Sequence, residues 1–184
     1  MRVVAGSAKG VRLAPVPKGV RPVSDRAREG LFSSLGERVR GARVLDLFAG
    51  TGALGVEALS RGAAEAVFVE RDRAAIAVLR RNVDLTRVGD RAVVVGIDVR
   101  RFVTRDDKNG APFDLVLADP PYDLGGPELD GVLADLAEGW LAAPSWTVAL
   151  TRRKGSSTPV IPVHWAPARR LEYGDTLVLL LREA

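Results

Sequence analysis

The 184 residues predict an α/β fold in which a mostly parallel, seven-stranded sheet finishes in an antiparallel hairpin. Three observations carry that prediction. From residue 42 onward, short apolar runs alternate with segments of helical period, the pattern of a parallel sheet covered on both faces. The first of these runs, at 44–47, passes from Asp46 and Leu47 through Phe48 straight into glycines and a helix. The last two runs are separated only by Tyr173-Gly174-Asp175, which is too short for a crossover helix and suits a hairpin.

A different piece lies ahead of that alternation. Apolar stretches at 2–5 and 11–13 flank Gly6-Ser7-Ala8-Lys9-Gly10 and read as a small hairpin displaying Lys9 and Arg12. Pro15, Pro17, Gly19 and Pro22 keep the chain extended. Ser24 or Asp25 then caps a helix reaching residue 35, with Ala27, Leu31, Phe32 and Leu35 on one face and Arg26 and Arg28 on the other. Those arginines can meet phosphates or can simply pair with Asp25 and Glu29 along the helix. Strands are then expected at 44–47, 66–69, 93–97, 113–118 and 146–150, and helices at 54–60, 73–84, 98–103 and 129–141. The hairpin takes 165–172 and 176–181, and 106–112 and 152–162 read as surface loops. This divides the chain into a basic N-terminal extension, residues 1–40, and a core domain, residues 41–184.

Composition narrows the function. No apolar run approaches the roughly 18 residues of a membrane span, and no apolar core of a signal peptide follows Arg2, so a cytoplasmic location is expected. The absence of cysteine excludes disulfides, thiolate metal sites and a cysteine nucleophile. Net charge is only +4, but residues 1–43 carry ten Lys or Arg against three acids, which leaves −3 for the rest. A basic end on a mildly acidic body suits a polyanionic partner. An arginine-rich solvated surface accounts for the same asymmetry and stays open.

The ligand of the glycine turn is decided by its acids. Gly50, Gly52 and Gly55 fit G-x-G-x-x-G with Glu70 at the end of the second strand, the pattern of a dinucleotide site. Asp46 argues against that reading, because a carboxylate just before the glycines would face a pyrophosphate. The same acid suits a ligand with an ammonium group and no phosphate, and S-adenosylmethionine is such a ligand. Glu70 can accept both ribose hydroxyls, while Asp98 accepts from the adenine amine and Val99 packs the ring. Each acid can equally cap the helix that follows its strand.

The fourth strand ends in Asp119-Pro120-Pro121-Tyr122. Two prolines remove amide donors and leave carbonyls, so the Asp119 carboxylate and the Pro120 carbonyl offer two acceptors for the two hydrogens of an exocyclic base amine. Tyr122 supplies a ring for a flipped base to stack on. Holding both hydrogens aims the nitrogen lone pair at a methyl group, so catalysis is chiefly positioning and electrostatics, with no metal required. His164, the only histidine, lies between apolar residues and is not needed for this chemistry; Trp140, Trp146 and Trp165 read as core, and Arg152, Arg153 and Lys154 as a loop that either touches the polyanion or is simply solvated.

The acids, glycines and D-P-P-Y resemble the class I S-adenosylmethionine-dependent methyltransferases, a Rossmann-like fold, that act on exocyclic amines of nucleobases. The N-terminal R-V-V-A-G, K-G-V-R-L and R-P-V-S-D-R-A-R-E-G-L-F, with L-D-L-F-A-G-T-G-A-L-G-V-E-A-L-S-R-G-A, resemble the RsmD family over essentially the whole chain. That family methylates N2 of guanine 966 in small-subunit 16S ribosomal RNA. The resemblance implies a cofactor site of Asp46, Phe48, Ala49, Gly50, Thr51, Gly52, Leu54, Glu70, Arg71, Asp98 and Val99, joined at the methionine end by Ser24, Arg28 and Phe32. It implies phosphate contacts from Lys9, Arg12, Arg21 and Arg26, and a substrate within the small subunit or its assembly intermediate, met by a monomer without metal or membrane. Many relatives have Phe at the place of Tyr122, which keeps the stacking surface. The alternatives are a DNA adenine-N6 methyltransferase, for whose target-recognition region this chain has no room, and a non-catalytic RNA-binding assembly factor, against which the intact acids weigh.

Overall fold

The computed structural model describes residues 1–16, 22–108 and 110–184. Helix α1, Asp25–Leu35, starts where the Ser24 hydroxyl accepts from the Ala27 amide at 3.2 Å, and it buries Ala27, Leu31, Phe32 and Leu35. Strand β1 (Arg43–Leu47) leads through the glycine turn to α2 (Ala53–Ser60), a short helix buried along its whole length because small residues let it lie close to the sheet. Then come β2 (Glu65–Val69), α3 (Arg73–Thr86), β3 (Ala92–Val95), α4 (Val99–Val103), β4 (Leu115–Ala118) and α5 (Gly126–Ala137). The chain closes with β5 (Thr147–Arg153), β6 (Trp165–Tyr173) and β7 (Thr176–Glu183).

The seven strands lie in the order β3-β2-β1-β4-β5-β7-β6. Pairing is parallel from β3 to β5 and antiparallel where β7 meets β5 and β6. The period of two along each strand sorts the core into two layers. Val44, Ala66, Phe68, Leu117 and Leu180 face α1, α2 and α3, whereas Leu45, Leu47, Val67, Val116 and Leu150 face α4 and α5. The three tryptophans are core: Trp140 stacks on Phe102 at 4.7 Å and donates to the Val103 carbonyl at 2.9 Å, and Trp146 meets Trp165 at 4.8 Å. Among the described residues no helix is long and apolar enough to cross a membrane.

Several boundaries depart from the periodicity; β3 ends at Val95 and α5 at Ala137, both short of the expected 97 and 141. Strand β5 runs to Arg153, because β7 pairs with it as far as Thr176 and extends the ladder into what reads as loop. Phe113 leaves β4 and bridges Leu141 instead. Helix α5 begins at Gly126, with Pro127 in its first turn, where a missing amide costs nothing.

The N-terminal extension shares the core of the rest of the chain, with Val3, Ala8, Leu13 and Val23 in the same cluster as α1 and α2. Its hairpin is a single bridge between Arg2 and Arg12, with Val3 donating to the Val11 carbonyl at 3.0 Å. Two polar residues of α2 pin it down. Glu57 accepts from the Val4 and Ala5 amides at 2.8 and 3.0 Å, and the Ser60 hydroxyl accepts from Ala8 at 3.0 Å and donates to the Ala5 carbonyl at 2.6 Å.

Candidate active site

The carboxyl ends of β1, β2 and β4, with the loop after β3, open into one cavity of about 1150 Å³. That exceeds the roughly 300–1,000 Å³ of a pocket for one drug-sized ligand, so cofactor and substrate group can share it. Asp46, Phe48, Ala49, Gly50, Thr51 and Leu54 line it from β1 and the glycine turn, Glu70 and Arg71 from just beyond β2, and Asp98 and Val99 from the start of α4, past the end of β3 at Val95. Asp119, Pro120, Pro121 and Tyr122 form the facing rim.

Gly52 is the exception within the turn, since it is absent from the lining. Its φ of +76° places the N-cap of α2 in the left-handed region, and a Cβ there would sit 2.8 Å from Leu79. Gly55 likewise faces inward, where a Cβ would meet the Phe68 ring at 2.3 Å. The second and third glycines therefore serve helix packing, and Gly50 alone of the three borders the cavity. Phe48 holds a φ of 57°, unusual for a bulky residue, and the turn is kept in register by the Ala49 amide donating to the Val69 carbonyl at 3.1 Å.

Asp46 is 1% exposed. Its Oδ2 accepts from the Gly55 amide at 2.9 Å, while Oδ1 is buried with no partner among the described residues. Burial pushes its carboxyl up to about 8, reinforced by the negative charges of Asp119 and Glu70 and opposed by the Gly55 amide. A carboxylate with an idle buried oxygen fits a ligand ammonium, whose charge and hydrogen would satisfy it.

Glu70 is more occupied than expected. Its Oε1 accepts from the Arg71 and Asp72 amides and its Oε2 from Gly50, all at 2.8 Å. In this arrangement only Oε2 keeps a lone pair for a ribose hydroxyl, so accepting from both hydroxyls requires the side chain to turn. Asp98 does two jobs: Oδ1 caps α4, accepting from Arg100 at 2.9 Å, and Oδ2 pairs with Arg71 Nη1 at 3.0 Å across the cavity wall.

On the other rim, Asp119 is half-buried and its Oδ1 accepts from the Thr151 hydroxyl. Burial raises its carboxyl to about 6, and the Thr151 hydrogen bond opposes that rise. Pro120 is buried, and Tyr122 is 41% exposed at the mouth. Thr151 escapes sequence reading because only the alignment of β4 with β5, Ala118 opposite Leu150, sets it beside Asp119.

The N-terminal residues need correction. Ser24, Arg28 and Phe32 are not in the cavity wall, where Pro22 and Val23 stand instead. Ser24 caps α1, Phe32 is core under the Arg61 guanidinium, and Arg28 is wholly buried, bonded to the Arg2 carbonyl and Asp25 and 3.6 Å from Glu57. A residue read as reaching the ligand is thus a buried cross-tie, which the helix period could not distinguish from a surface arginine. Lys9, Arg12 and Arg26 are exposed, and Lys9 borders a shallow groove with Arg2, Asp25 and Glu29. Arg21 lies outside the described residues. His164 is exposed and apart from the cavity.

Known proteins are similar to this chain in sequence and fold. Residues 1–182 match the family described as "Conserved hypothetical protein 95". The "Ribosomal RNA small subunit methyltransferase D" of Escherichia coli K12 is 37% identical over 188 residues, covering 100% of this chain and 91% of its own. Among solved structures, Escherichia coli yhhF superposes with a TM-score of 0.86 at 34% identity, covering 100% and 98% of the two chains. A Thermus thermophilus protein gives 0.83 at 36%, covering 100% and 99%. With residues 1–182 matching the family and these relatives covered over 91% or more of their length, the chain belongs to the RsmD family of class I methyltransferases.

Proposed function

We propose that the protein transfers a methyl group from S-adenosylmethionine to N2 of guanine 966 in 16S ribosomal RNA, within the small subunit or its assembly intermediate. The observation that carries this reading is one cavity with a half-satisfied Asp46 on one rim and the acceptor pair of Asp119 and Pro120 on the other. When bound, the cofactor supplies an electrophilic sulfonium methyl and leaves as a neutral thioether. Asp46 Oδ1 receives its ammonium, Glu70 its ribose, and Asp98 and Val99 its adenine. Thr151 fixes Asp119 Oδ1, so Oδ2 faces the substrate and, with the Pro120 carbonyl, takes the two amine hydrogens. Tyr122 stacks on the base. As the N–C bond forms, positive charge develops on the nitrogen, and the adjacent carboxylate stabilises it and receives the departing proton.

Lys9, Arg12 and Arg26 supply phosphate contacts, and the protein works as a cytoplasmic monomer. The test supplies labelled cofactor to purified small subunits, naked ribosomal RNA and DNA, and maps the methyl. Label on guanine N2 of the small-subunit RNA is expected, and label on DNA adenine would overturn the assignment. Reversing Lys9 and Arg12 to Glu should weaken RNA binding about tenfold or more and flatten its salt dependence, with cofactor affinity unchanged. Equal loss of both would refute the division of labour between extension and cavity.

A further inference from the structure

Asn82 lies on α3, is wholly buried and is absent from the cavity wall. Its side chain nonetheless joins two regions that the proposed chemistry needs together. The Asn82 carbonyl oxygen accepts from the Ala14 amide at 2.7 Å, and its Nδ2 donates to the Thr51 carbonyl at 2.8 Å. Ala14 directly follows the N-terminal hairpin, and Thr51 sits between Gly50 and Gly52 in the turn that borders the cavity. A buried primary amide has one strong acceptor and two donors, and here each end reaches a different segment. Neither backbone group has a helix or ladder partner to fall back on, so losing the amide would leave a buried donor and a buried acceptor unpaired.

We propose that Asn82 is a positioning residue that ties the cofactor turn to the N-terminal extension, so that the RNA-facing hairpin and the methyl-donor site hold one relative geometry. The inference rests on the reading of this turn as the cofactor site and of the extension as the RNA contact. Glu57 and Ser60 hold the hairpin to α2, which begins at the same turn, so the extension is fastened on both sides of it. Thr51 is buried and held through its carbonyl, which leaves neighbouring Gly50 to face the ligand. The hydrogen-bond chain from Ala14 through Asn82 to Thr51 gives extension and turn a shared restraint rather than two independent ones.

Hydrogen exchange on the ligand-free protein decides it without any cofactor. Asn82→Leu, which removes both bonds at similar volume, should speed exchange across residues 48–56 about tenfold. Ala14→Pro removes the Ala14 N–H that reaches Asn82 while leaving the amide side chain in place, and should speed the same amides by about threefold or more. Val83→Ala, a core loss on the same helix, should leave them unchanged. S-adenosylhomocysteine affinity should fall about tenfold in Asn82→Leu and stay within about twofold in Val83→Ala. Loop exchange unmoved in Asn82→Leu, moved in Asn82→Leu but not in Ala14→Pro, or moved equally in Val83→Ala would overturn the tie. A wild-type protein that fails to bind S-adenosylhomocysteine would instead overturn the cofactor reading, with exchange still deciding the tie.

Discussion

Glu57 and Asp46 are both buried acids on the α1–α3 side of the sheet, and they have opposite fates. Glu57, 0% exposed, accepts from Val4 and Ala5, bonds Arg61 at 2.7 Å and faces Arg28 at 3.6 Å, so both oxygens are fully used. Asp46, 1% exposed, has one oxygen on the Gly55 amide and the other without a partner among the described residues. A buried charge whose acceptors are all filled becomes part of the framework, and one left half-filled marks where a ligand completes the structure. Asp119 belongs with Asp46: it lines the same cavity, Thr151 fixes only one of its oxygens, and its carboxyl is also raised by burial.

The contrast predicts which acids cost stability and which cost activity. Glu57→Leu should destabilise the protein by about 3–5 kcal/mol in urea unfolding, because it strands the buried Arg28 and two backbone amides. A loss below about 1 kcal/mol would show that Glu57 is not a framework charge. Asp119→Ala should lower kcat by about 10²–10³ with S-adenosylhomocysteine affinity intact, as expected for a group that acts on the developing charge. A variant retaining more than about half of the activity would remove Asp119 from the chemistry.

Asp46→Asn keeps the shape and discards the charge. It should weaken cofactor binding by about 10–100-fold and leave unfolding stability unchanged or slightly higher, the reverse of Glu57→Leu. Calorimetry and urea unfolding on the same preparation check both halves. The smallest effect is in pH. Folding raises the Asp46 carboxyl from 3.8 to about 8 and Asp119 from 3.8 to about 6, so the folded protein holds these protons more tightly than the unfolded chain. Their contribution is fully present below about 4 and is lost as pH rises through about 6 and then about 8. The ligand-free protein should therefore gain about 2 kcal/mol on going from pH 8.5 to 6.5, and Asp46→Asn should flatten most of that slope. Cofactor binding near pH 7 should release protons, seen as an observed heat that varies with buffer ionisation enthalpy; no variation would mean Asp46 is already ionised.

Sequence by itself determined the alternation of strands and helices, the antiparallel finish, the glycine turn and the acids at the strand ends, because period, chain breakers and carboxylates are local properties. It also placed Asp119 to Tyr122 after the fourth strand, where two prolines leave few other conformations. Thr151 beside Asp119, the extra length of β5, Asn82 between Ala14 and Thr51, and Arg28 turned inward were decided by tertiary structure alone. Each depends on a partner between 23 and 68 positions away, from Arg153 opposite Thr176 to Ala14 with Asn82. A lone Glu57 in the otherwise uncharged α2, and an Asn82 between Leu79 and Val83 on the apolar face of α3, were the only hints available. Residue type announces that a buried polar group must be satisfied; only the folded chain decides which groups find partners and which, like Asp46 Oδ1, do not among the described residues.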